Sequence, residues 1–135
     1  MDSLDDLLAE FRRKRAERTA SIGDVSNGAI LTCESGQRWV FLLPDMTEPG
    51  KWRMQRFDER GFSGHSIFNT QDELVSAAAD DGFFRHDPGA LDRLQGTSLF
   101  QRGNFLTDLV QRINARELSH AEADRLLAEY DAQPA

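Results

Sequence analysis

The chain has 135 residues, 39% of them hydrophobic and 29% charged, with a formal net charge of −7 at pH 7. That length suits a single hydrophobic core, and nine Phe, two Trp and one Tyr supply the bulky side chains that disordered chains lack. No stretch approaches the roughly 20 consecutive apolar residues of a membrane helix. The acidic opening Met1-Asp2-Ser3-Leu4-Asp5-Asp6 is unlike a signal peptide, and one cysteine excludes an internal disulfide.

The first element in chain order is a helix from about Ser3 to Thr19, within a segment 1–20. Leu4, Leu7, Leu8 and Phe11 recur at i, i+3, i+4 and i+7 and so share one face. Asp2, Asp5 and Asp6 stand at its start and Arg12, Arg13, Lys14, Arg15 and Arg18 toward its end, which complements the helix dipole at both termini. The apolar stripe fades after Phe11, so the last turns are the ones expected to project. Ser21 to Gly28 reads as a connector.

Segment 28–69 carries the strand signals. Ala29–Cys33 and Arg38–Leu43 form a hairpin around Glu34-Ser35-Gly36-Gln37. The run Trp39-Val40-Phe41-Leu42-Leu43 is apolar on both faces, as in a central strand covered on each side. Lys51–Phe57 and His65–Asn69 form a second hairpin around a loop of residues 58–64. Trp52 and Met54 share a face with Ile67, while Arg53, Gln55 and Phe57 point the other way. The simplest arrangement is a four-stranded antiparallel meander.

Segment 70–131 is helical. Thr70-Gln71-Asp72-Glu73 and Ser119-His120-Ala121-Glu122 are capping boxes. Gly82 suits a C-cap, Asp87-Pro88 a helix start, and Asn104 the cap of a longer helix bearing Phe105, Leu106, Leu109, Val110 and Ile113. Residues from Gln133 to Ala135 are expected to fray. One helix, about four strands and about four helices, in that order, give an α+β fold in a single domain, 1–135.

The sequence carries no pattern of catalytic residues and none of a metal or cofactor site. Cys33 lies in an apolar strand, where burial raises a thiol's pKa and lowers its reactivity. No Gly-x-Ser-x-Gly elbow, Walker loop or Gly-x-Gly-x-x-Gly is present. His65, His86 and His120 lack metal-ligand spacing. A small enzyme built from His65, His86 and scattered carboxylates is the third-ranked reading.

Two regions suit partners. The hairpin surface Trp52, Arg53, Arg56, Phe57, Arg60, Phe62 and His65, with Phe68 nearby, interleaves aromatics with arginine, a composition of interface anchors and of single-strand stacking platforms. The basic run Arg12, Arg13, Lys14, Arg15 and Arg18 suits nucleic acid, together with Lys51–Arg60. Residues 70–135 hold six basic and twelve acidic side chains, a net −6, and a negative field repels phosphate backbones and anionic membranes.

The favoured expectation is therefore a non-enzymatic, cytoplasmic, bacterial protein-binding module of accessory, inhibitor, immunity or adaptor type. It would act through the hairpin surface or the acidic helical half, with another protein as partner and no membrane. Nucleic-acid binding is the alternative.

Overall fold

The computed structural model describes residues 3–134; the helix-start role read for Asp2 and the fraying read for Ala135 lie outside them. Helix α1 (Leu4–Ile22) leads into four antiparallel strands, β1 (Ala29–Thr32), β2 (Arg38–Pro44), β3 (Trp52–Asp58) and β4 (Gly61–Phe68). Helix α2 (Gln71–Asp80), the two-residue strand β5 (Arg85–His86) and helices α3 (Ala90–Gln95), α4 (Ser98–Asn114) and α5 (His120–Ala132) complete the chain. The sheet order is β4-β3-β2-β1-β5. The expected α+β layout holds, with β5 as a fifth strand added to the meander: after α2 the chain returns to pair Arg85 and His86 antiparallel with Thr32 and Leu31.

The sheet is covered on both faces, as the doubly apolar β2 requires. On one face Leu31, Val40, Leu42 and Met54 meet Ile22, Val25, Leu74, Val75, Ala78 and Ala79 from α1, its connector and α2. On the other face Trp39 and Phe57 pack with Ala90 of α3 and Phe100 of α4. The second cluster is aromatic: Trp39 stacks on Phe57 with centroids 5.8 Å apart, and Phe62 and Phe100 meet edge to face at 5.5 Å.

Several local expectations change. α1 runs to Ile22, so its arginines and Lys14 sit in mid-helix and no basic residue occupies the last turn. Its orientation also reverses the expectation. Ile22 is buried, whereas Leu4, Leu7, Leu8 and Phe11 are 70%, 53%, 40% and 68% exposed. The loop expected over 58–64 shrinks to a tight turn, because Arg60 N–H bonds Asp58 Oδ1 at 2.7 Å and Gly61 takes a φ of +118°. β4 then starts at Gly61 and absorbs Ser63 as a bulge, with Arg56 opposite Gly64 and Phe57 opposite Phe62. Ile67 pairs with Arg53, so it shares that face and not the Trp52 face, which Phe68 joins instead.

Caps follow the same pattern of partial agreement. The Ser119–Glu122 box forms in full. Thr70 caps α2 through Glu73 N–H, but the Glu73 carboxylate accepts from Asn69 N–H. Asp81 occupies the C-cap of α2, with Gly82 (φ +90°) just beyond. Asp87 does not cap α3 with its side chain; it accepts the Trp39 indole N–H at 2.9 Å and the paired Nη groups of Arg93 at 3.0 and 2.7 Å. Those bonds, Arg93 foremost and Trp39 next, hold its carboxyl below the usual range against the cost of burial. Thr97, not Asn104, caps α4.

Candidate binding groove

The position of Asn104 in mid-helix explains how α4 meets the sheet. Its Oδ1 accepts the Phe62 backbone N–H at 2.8 Å, and Thr107 Oγ1 donates to the Phe62 carbonyl at 3.4 Å. These side chains satisfy the start of edge strand β4, which would otherwise present open backbone groups. One residue earlier, Gly103 lies against the β3–β4 turn so closely that a Cβ there would stand 1.3 Å from the Arg60 carbonyl oxygen. Only glycine permits that approach.

Between α4 and the sheet lies a groove of about 620 Å³. Phe41, Leu43 and Phe62 give it apolar walls, and Asn104, Thr107, Asp108 and Gln111 give it a polar side along α4. Arg53, Gln55 and His65 stand in the groove from β3 and β4. They share a face by register: Arg53 is opposite Leu43, and Gln55 is opposite both Phe41 and His65.

The guanidinium of Arg53 is held in place. Its Nε and Nη2 donate to Gln55 Oε1 at 3.3 and 2.9 Å, and Gln55 Nε2 donates in turn to the Gly64 carbonyl at 3.0 Å. Behind it, Asp45 is buried and its Oδ1 lies 3.6 Å from Arg53 Nη1, with no hydrogen bond of its own. Burial opposes the Asp45 charge, but bonds from the Thr47 hydroxyl and the Glu48 N–H, with the nearby Arg53, outweigh it and keep the carboxyl below its usual range. Arg53 is thus a cation of fixed direction beside an apolar wall.

The seven hairpin residues do not form one surface. Arg53, Phe62 and His65 come together in the groove. Trp52 and Arg56 lie on the opposite face, Trp52 against the α2-side core and Arg56 bonded to Ser66 Oγ at 2.9 Å. Phe57, 2% exposed, is a core residue and reaches no partner, because the stacking of Trp39, Phe62 and Phe100 encloses it. Arg60 sits in the turn under Gly103. Leu43, Gln55, Thr107, Asp108 and Gln111 line the groove without a separate signal in the sequence. They become neighbours only when β2, β3 and α4 converge.

The basic run is largely engaged. Arg13 pairs with Glu10 and with Glu17, Arg15 with Asp80 at 2.7 Å, and Lys14 lies 3.9 Å from Glu10. Arg18 stacks over Phe84, 4.8 Å from its centroid. Half of the twelve C-terminal acids are similarly occupied: Asp80, Asp87, Asp108, Glu117, Glu129 and Asp131 each lie within 4.0 Å of an arginine.

The sheet separates the histidines read as a possible reaction centre. His65 faces the groove, whereas His86 lies on the α1 side, its Nε2 2.9 Å from the Ile22 carbonyl at the end of α1. Among the described residues no group of three or more His, Cys, Asp or Glu side chains converges to hold a metal ion, and no helix is long and apolar enough to cross a membrane. No family model, curated protein or solved structure matches the chain.

Proposed function

We propose that this chain is a non-enzymatic protein-binding module of the cytoplasm, an accessory or adaptor protein that seats a short segment of its partner between the sheet and α4. The observation that carries the reading is the pairing, in one groove, of apolar walls (Phe41, Leu43, Phe62) with a guanidinium already fixed by Gln55. Apolar surface supplies affinity and a preorganised charge supplies direction, the division of labour found at interface hot spots. The segment that fits carries a large apolar side chain next to a carboxylate, the acid meeting Arg53. The unpaired thiol of Cys33 suits a reducing compartment.

Nucleic-acid binding through the basic run has less support. Most of those cations already face carboxylates, so few remain to release counterions from a phosphate backbone.

The test is selection of a random peptide library on the immobilised chain, followed by calorimetry with an enriched peptide. Enrichment of an apolar–acidic pattern is expected. Arg53→Ala should weaken binding roughly tenfold, as for loss of a charge-assisted hydrogen bond, and Gln111→Trp should block the groove. Binding insensitive to both substitutions would overturn the reading. So would steep, salt-dependent binding of short oligonucleotides in place of peptides.

A further inference from the structure

β4 is one outer edge of the sheet. The Asp45 N–H donates to the Lys51 carbonyl at 2.9 Å, so Lys51, Arg53 and Gln55 turn their backbone groups toward β2, and Trp52, Met54 and Arg56 turn theirs toward β4. Their partners Phe68, Ser66 and Gly64 therefore face β3. The outward positions are Phe62, His65 and Ile67, with Asn69 just beyond. Both ends of that series are closed: Asn104 and Thr107 serve Phe62, and the Asn69 N–H donates to Glu73. Between them, the N–H and C=O groups of His65 and Ile67 have no hydrogen-bond partner among the described residues, and both residues are exposed.

That open stretch borders the groove, with Ser63, Gly64 and His65 on one rim and Thr107, Asp108 and Gln111 of α4 on the other. Exposed edges are ordinarily guarded by charged residues or proline. Gly61–Phe68 contains no Asp, Glu, Lys, Arg or Pro, and its one guard, the bulge at Ser63, precedes the open pair. Donors and acceptors repeated at every second residue match an extended polypeptide backbone, and an antiparallel one engages all four groups through two of its residues. With α4 as the far rim, the opening suits a single chain lying between strand and helix. Residues opposite His65 and Ile67 lay their side chains on the face that Gln55 and Arg53 share. Arg53 stands two strand spacings away, about 10 Å, so a glutamate reaches its guanidinium more readily than an aspartate.

Resting on the groove as the recognition site, we propose that the partner's segment binds as a sixth strand of the sheet, antiparallel to β4 at His65 and Ile67. Its apolar and acidic side chains stand two residues apart. That spacing sets them side by side on the groove face, whereas adjacent residues of a strand point to opposite faces. Backbone bonds to β4 then supply affinity that does not depend on the partner's exact sequence, and the groove selects the two side chains.

Calorimetry on the full chain with capped, threonine-rich peptides tests this. A peptide with leucine and glutamate two residues apart should bind, and should lose affinity several-fold when the two are made adjacent. N-methylation of the leucine or the glutamate nitrogen, both directed at β4, should cost roughly tenfold, while N-methylation of the residue between them should change little. Ile67→Pro removes an outward donor where edge strands tolerate proline and should weaken binding more than Ile67→Ala, with the fold of both checked by circular dichroism. Binding that needs Arg53 but responds equally to methylation at all three nitrogens would overturn strand addition and leave the groove reading intact. So would failure of the spaced peptide where library peptides bind; failure of both would remove the groove reading as well. A wild type that dimerises in sedimentation velocity, with Ile67→Pro monomeric, would assign the edge to a second copy and likewise overturn the proposal.

Discussion

The thiol of Cys33 sits one residue beyond β1, at the start of the turn that leads into β2. Burial raises its pKa, but the Ser35 hydroxyl at 3.1 Å and backbone N–H groups of the turn outweigh that and bring it down to about 7. An apolar strand offers no donors, which is why the sequence alone predicts a rise. The structure reverses the sign because the strand ends at Thr32 and the turn supplies them. The consequence is measurable. An acid whose folded pKa lies below its unfolded value, about 8.5 for cysteine, binds fewer protons when folded at pH values between the two. Stability attributable to Cys33 should therefore rise as pH climbs from about 7 to its unfolded value and disappear as pH falls below the folded pKa. Urea melts at pH 6, 7, 8 and 9 should show this rise in the wild type and lack it in Cys33→Ser. Parallel profiles for the two proteins would refute the assignment.

Among the secondary elements, the docking of α4 rests on Gly103. Alanine favours a helix interior over glycine by about 1 kcal/mol. At position 103, however, the new Cβ meets a backbone carbonyl at 1.3 Å, so Gly103→Ala should destabilise by about 2–3 kcal/mol, the range of overpacked cores. Gly96 is the control: it stands at the C-cap of α3 with φ −80°, and a Cβ added there would meet no atom within 4 Å. Gly96→Ala should be neutral or stabilise by about 0.5 kcal/mol. Equal effects in the two variants, read by chemical denaturation, would show that α4 does not press on the β3–β4 turn.

The same helix shows where local signals suffice and where they mislead. Local chemistry locates β2, α2 and α5 well, because an apolar run, a Thr cap and a Ser–Glu box act within a few residues. Asn104 misleads because an Asn in a helical pattern resembles a cap, whereas here its amide serves Phe62, 42 residues away in sequence. The presence of α1 is legible, but its buried end is the opposite of the one expected. Periodicity gives the apolar face of a helix and is silent on whether anything lies against it. β5 escapes notice because two residues carry no period.

Across the whole molecule, the sheet divides the hairpin's aromatics and arginines between two compartments. Composition alone cannot show this, since a one-residue step changes faces. The order of one helix, a sheet and four helices is legible in the sequence; the groove is legible only through Arg53, Phe62 and His65. Residues 70–135 keep their net −6 even though six of their twelve carboxylates lie beside arginines; the groove is the better-formed recognition surface because its side chains converge. The most direct test is an ¹⁵N chemical-shift titration of the chain with an enriched apolar–acidic peptide. Perturbations should concentrate in residues 41–43, 53–55, 62–65 and 104–111, with the Arg53 side-chain resonance among the largest. Perturbations concentrated on α1, α2 or α5, with those segments silent, would contradict recognition through the groove.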